Sequence, residues 1–208
     1  MRSRDLDNIQ LTQFQQPINC CNLTSIAYAL SALGFSTDVD DIFYVTRLPI
    51  AKVFDDGMTL AETYDTCKQY LTGAKLPLSV EMKCFDHPSM TLDVFVKEIE
   101  TAVNDQDDIH ILNFNVQIAH DVPQIGDGHF SLLADYDPKT GEVVIADSNP
   151  KKYTRYWRCP VKRMYDACRD KDSASTRPRG MLVIRKSRAS APVDQGNGAA
   201  GKSGKSRS

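Results

Sequence analysis

The sequence predicts an α+β domain in which a helical N-terminal part packs on a mainly antiparallel sheet. Apolar residues recur at helical spacing early in the chain. Later, short apolar or alternating runs are set off by turn residues. A Cys at the head of the first helix is followed, much further on, by a His and an Asp on those runs. Helices first and strands second is the order expected of an α+β domain.

Leu23, Ile26, Ala27, Leu30 and Leu33 give the period of the first helix, and Gly34 is placed to end it. Thr59 and Glu62 have capping-box spacing. Leu60, Tyr64, Cys67 and Leu71 then lie on one face, and Gly73 follows. Leu92, Phe95, Val96, Ile99 and Val103 predict a third helix. Leu78, Val80, Met82 and Cys84 alternate as a strand does. Ile109 to Val116 and His129 to Ala134 read as further strands. The turn from Asp137 to Gly141 joins the second of these to Val143–Ala146, and Gly180 to Ile184 closes the series.

The chain has 208 residues, 41% of them hydrophobic and 25% charged, which suits a globular domain with its own core. A formal net charge of -2 gives no basis for general nucleic-acid binding. No apolar run is long enough to span a membrane, and the first ten residues have no apolar signal segment. The six cysteines are irregularly spaced with no CxxC pair, so reduced thiols in the cytoplasm are expected. From Ser187 to Ser208 the composition is Ser, Gly, Ala and Lys with four basic residues against Asp194. That stretch is expected to be a disordered tail, 187–208, behind a catalytic domain at 1–186.

Cys21 stands at the start of the first helix, where the helix dipole favours a thiolate. A buried structural Cys is the plainer alternative. Gln15, six residues earlier, has the spacing of the side-chain oxyanion donor in papain-like enzymes. Gly126-Asp127-Gly128 leads into His129, which can take a thiol proton and return it to a leaving amine. Asp147 ends the strand next along the hairpin, where it can orient the imidazole or simply cap a turn. The order Cys, His, Asp, with the Cys on a helix and its partners on a sheet, is that of the papain-like cysteine protease fold.

These segments resemble the phytochelatin synthase family, in its short bacterial-type form with only the catalytic domain. Cys21-Asn22-Leu23-Thr24-Ser25 is similar to the family's nucleophile segment, and Gly126 to Ser131 to its Gly-x-Gly-His-Phe-Ser. Asp147, Lys152, Tyr153 and Trp157 fall in its Asp-x4-Lys-Tyr-x3-Trp pattern. Asp56 to Leu60 resembles a pattern of the bacterial members, and Asp172-Ser173 with Arg179-Gly180 its closing motif. The resemblance implies catalysis by Cys21, His129, Asp147 and Gln15, and a γ-glutamyl site made by Asp172 and Arg179.

The substrate so implied is glutathione, cleaved to glycine and a γ-Glu-Cys thioester that passes to water or to a second glutathione. The role would be metal detoxification or glutathione turnover. No tightly bound cofactor and no resident metal are expected, with Cd or Zn acting as activators or as glutathione thiolates. A homodimer is left open. Several positions depart from the family: Pro150 replaces an Arg, Arg155-Tyr156 a Pro pair, and Asn22 a Gly. Cys20 adds a second thiol, and Pro17 lies one residue nearer than usual; if Pro17 sets the register, Cys20 is the nucleophile. A papain-like peptidase and a non-catalytic thiol or metal binder are the competing readings.

Overall fold

The computed structural model describes residues 19–123, 128–149 and 153–187. The elements in chain order are α1 (Cys21–Ala32), α2 (Val39–Thr46), α3 (Ile50–Asp56), α4 (Leu60–Gly73), β1 (Leu78–Cys84) and α5 (Leu92–Asn104). There follow β2 (Asp108–Asn115), α6 (Val116–His120), β3 (Gly128–Asp137), β4 (Glu142–Ala146), β5 (Tyr156–Pro160), α7 (Val161–Arg169) and β6 (Gly180–Lys186). The six strands form one sheet in the order β1-β6-β2-β3-β4-β5, and every neighbouring pair is antiparallel.

Strand alternation divides the core into two layers. Ile109, Ile111, Phe130, Leu132, Leu182 and Ile184 face α1 to α4. Leu112, Phe114, Leu133, Val143, Ile145 and Met181 face α5 to α7. The α+β class with an antiparallel sheet holds. Three later helices, of which α5 was expected and α6 and α7 were not, lie between strands in the chain and cover the second face, as a sheet apolar on both sides requires.

α1 lies between the sheet and the other N-terminal helices, packing on β2, β3, α2 and α4. Its residues from Asn22 to Leu30 are all buried, a wider face than the apolar period alone implies. It ends as expected: Gly34 has φ +93°, and the N–H groups of Gly34 and Phe35 close on the carbonyls of Ser31 and Leu30. The capping box of α4 also forms. Glu62 N–H donates to Thr59 Oγ1 (3.3 Å), and Thr59 N–H donates to Glu62 Oε2 (2.9 Å).

α4 ends at Gly73, and the chain turns two residues on at Lys75, whose φ is +54°. The glycine also answers a packing need, since a Cβ there would lie 2.6 Å from Val45 Cγ1 of α2. α2, α3, α6, α7 and β5 carry no assignment in the sequence reading. α2 had a signal, the Asp38–Asp41 capping box now seen at its start. The expected tail lies outside the described residues from position 188 onward.

Candidate active site

α1 brings Cys21 to the start of β3, where His129 is the second residue of the strand. Ser25 Oγ–H and Ser148 Oγ–H both donate to the Phe130 carbonyl (2.9 and 2.7 Å), tying α1 and the segment after β4 to the same point of β3. Asp147 follows β4, and its N–H donates to the Arg155 carbonyl (2.9 Å). The hairpin thus sets Asp147 beside His129.

His129 Nε2–H donates to Asp147 Oδ1 at 2.9 Å, and both side chains are buried. That leaves Nδ1 for the sulfur of Cys21, with which His129 also forms a hydrogen bond. Asp147 is fully enclosed. Trp157 Nε1–H donates to its Oδ2 (2.7 Å) and the Asn149 N–H to its Oδ1 (2.7 Å). An aromatic wall surrounds the imidazole: the ring centroids of Phe114 and Tyr153 lie 5.5 and 5.2 Å from that of His129. His120 stacks on Tyr153 and lies 4.2 Å from Trp157.

The electrostatics follow from this geometry. Burial pushes the Cys21 thiol up, but the His129 hydrogen bond and charge outweigh it, helped by the backbone N–H groups of Phe130 and Asn22. The net shift is downward. Burial likewise favours neutral His129, but Asp147 and the Cys21 thiolate outweigh it and raise the imidazole to about 9. Burial raises Asp147, yet its partners His129, Asn149 and Trp157 hold it below the ordinary carboxylate value. The arrangement favours a thiolate–imidazolium pair. Cys20 differs sharply. It is fully buried, and burial together with the Cys21 charge pushes its thiol up to about 12.

The same cleft, about 850 Å³, is lined by Cys21, His129, Asn113, Asp172, Arg179, Lys52 and Glu62 among others. Arg179 is 4% exposed. Its Nη1 lies 3.5 Å from Asp172 Oδ1 and its Nε 3.9 Å from Asp170 Oδ2, so these contacts are long, and Nε has no hydrogen-bond partner among the described residues. Asn113 Oδ1 is also buried and has no partner among the described residues. Gly128 explains itself here: a Cβ would stand 2.3 Å from Arg179 Nη1, so the glycine lets the guanidinium lie against the backbone next to His129.

Cys21, His129, Asp147, Asp172 and Arg179 are therefore brought to one site. Gln15, Gly126, Asp127, Pro150 and Lys152 lie outside the described residues. Sequence reasoning missed Asn113 and the hydrogen bond that Trp157 makes to Asp147. It also missed the Lys52–Glu62 pair, although the capping box had already drawn attention to Glu62.

A family model described as phytochelatin synthase matches residues 6–181. The chain is similar to glutathione gamma-glutamylcysteinyltransferase 2 of Arabidopsis thaliana, with 25% identity over 186 residues, covering 85% of this chain and 38% of that protein. It is also similar to glutathione gamma-glutamylcysteinyltransferase of Schizosaccharomyces pombe, with 27% identity over 135 residues, covering 65% of this chain and 30% of that one. The chain thus spans well under half the length of these relatives. Among solved structures it is similar to a protein from Bacillus anthracis described as a C39-like peptidase, with 13% identity, a TM-score of 0.52, and coverage of 86% of this chain and 94% of that one. That likeness bears on the fold alone, which is that of the papain-like cysteine peptidases. With a family match over most of its length, the chain belongs to the phytochelatin synthase family.

Proposed function

We propose that this protein is a glutathione γ-glutamylcysteinyltransferase that works through a thioester on Cys21. The observation that carries the reading is the meeting of the Cys21–His129–Asp147 chain with the Asp172–Arg179 pair in one cleft. The first group supplies acyl-transfer chemistry. The second suits the α-amine and α-carboxylate of a γ-glutamyl group, with Arg179 Nε and Asn113 Oδ1 unpartnered among the described residues.

In the proposed mechanism the Cys21 thiolate attacks the carbonyl carbon of the Cys–Gly bond. The backbone N–H of Cys21 and the amide of Gln15 hold the oxyanion. The C–N bond breaks, the His129 imidazolium gives its proton to the glycine nitrogen, and the thioester remains. Neutral His129 next takes a proton from water or from an incoming amine. The C–S bond breaks, and γ-Glu-Cys or the extended peptide leaves with the thiolate restored.

Asp147 and Trp157 keep the imidazole in one tautomer and orientation throughout. We assign Cd and Zn to the thiolates of the glutathione substrate. Cys20, Cys67, Cys159 and Cys168 support this, because all four thiols are buried. A reduced Cys21 is needed for turnover, which favours the cytoplasm.

The test compares glutathione with α-Glu-Cys-Gly as substrates. Glycine release should be fast only from the γ-linked peptide. Equal cleavage of both would replace this reading with a general peptidase.

A further inference from the structure

We infer that Lys52 and Glu62 form a second subsite, which holds the α-amino acid head group that leaves or enters the thioester. This rests on the proposed acyl transfer. The Asp172–Arg179 pair belongs to the sheet side of the cleft, joined to His129 through Gly128. The other acid–base pair lies on the helix side. Lys52 of α3 forms an ion pair with Glu62 of α4, and both side chains line the cleft that holds Cys21.

This pair is fixed in place. Glu62 Oε2 accepts from Thr59 N–H and Thr59 Oγ1–H (2.9 and 3.0 Å), which leaves Oε1 for Lys52. α3 is tied to the segment entering the nucleophile, since Asn19 Nδ2–H donates to the Phe54 carbonyl (2.6 Å), two residues from Lys52 on one side and from Cys21 on the other. Yet the pair is reachable: the Lys52 and Glu62 side chains are 43% and 41% exposed. An exposed ion pair contributes little to stability. One positive and one negative group at a fixed spacing match an amino-acid zwitterion, the chemistry also offered by Asp172–Arg179.

The reaction needs two such sites. One head group belongs to the γ-glutamyl donor. The other is the free glycine that leaves or the amine end of a second glutathione that enters. Aminolysis by glycine is the reverse of acylation, so the leaving and entering groups share a path. In that step Lys52 holds the carboxylate and Glu62 accepts from the amine. The amine nitrogen attacks the thioester carbonyl, its proton goes to His129, the C–S bond breaks and Cys21 leaves as thiolate.

The experiment incubates the protein with glutathione and isotopically labelled glycine or glycinamide. It then measures labelled product, γ-Glu-Cys and (γ-Glu-Cys)2-Gly by mass spectrometry. Glycinamide lacks the carboxylate. Lys52→Met should lower labelled-glycine incorporation and (γ-Glu-Cys)2-Gly formation, relative to hydrolysis, by about tenfold, the low end expected for a charge-assisted contact. Lys52→Arg should recover most of it, and glycinamide incorporation should change by less than about twofold, because no charged contact is lost. Glu62→Gln, which can still cap α4, should lower transfer to all three amines.

The subsite is overturned if Lys52→Met leaves the glycine ratio unchanged, or lowers glycine and glycinamide equally. It is also overturned if a protein that hydrolyses glutathione incorporates no amine at saturation; in each of these cases the proposed thioester chemistry survives. A protein that forms no acyl adduct with glutathione overturns both.

Discussion

The two walls of the cleft carry similar residue types in opposite settings. On the sheet wall His129, Asp147 and Arg179 are each 5% exposed or less, and Asp147 is saturated with hydrogen bonds. On the helix wall Lys52 and Glu62 stand about two-fifths exposed with one ion pair between them. Burial makes the first set rigid and electrically strong, because charge in a poorly solvated site must be met by fixed partners. Exposure makes the second set weak in stability and easily exchanged for a ligand. The same logic separates two adjacent thiols. Cys21 reaches His129 and is shifted down, whereas Cys20 is enclosed without that partner and is shifted up.

The largest expected effect tests that last contrast. Cys21→Ser should abolish glycine release from glutathione, while Cys20→Ser should retain most of it. A glycine assay with the opposite outcome moves the nucleophile by one residue. The pH profile sharpens the same point. A lowered Cys21 and a His129 raised to about 9 mean that the ion pair is present between their two values. It is lost as pH falls through the Cys21 value and as pH rises through the His129 value. Iodoacetamide should therefore alkylate Cys21 readily at neutral pH. In His129→Ala the rate there should fall by about tenfold or more, since burial alone raises a thiol. An unchanged rate would remove His129 as the cause.

Arg179→Ala comes next, with a loss of roughly ten- to a hundredfold in kcat/KM for glutathione and normal alkylation of Cys21. Arg179→Lys should recover part of it, because an ammonium cannot present a planar fork. Equal kinetics for the parent and Arg179→Ala would detach the sheet-wall pair from substrate binding. Trp157→Phe should act least, removing one donor to Asp147 at a cost of about 1–2 kcal/mol. The expected readout is a lower alkaline limit of the rate profile or a several-fold lower kcat. Neither change would mean that Asn149 and His129 hold Asp147 unaided.

The sheet wall was largely legible in the sequence because its residues carry local signals. Glycines led to His129, a turn led to Asp147, and Gly180 marked the start of a strand. The reason for Gly128 was not legible, since its close neighbour Arg179, just before β6, is distant in sequence. The role of Trp157 was hidden for the same reason: β5 is short, half-exposed and without clear alternation. Gly73 does end α4, but its close approach to α2 was not legible, because Val45 is distant in sequence. The helix wall was the least legible, as α3 is a short helix after Pro49 with one buried residue and no apolar period to announce it.

Glutathione is expected to acylate Cys21. Intact-protein and peptide mass spectrometry after mixing with glutathione test it most directly. A γ-glutamylcysteinyl adduct is expected on the peptide bearing Cys21, absent from Cys21→Ser and still formed in Cys20→Ser. An unmodified protein, or an adduct confined to Cys20, would contradict it.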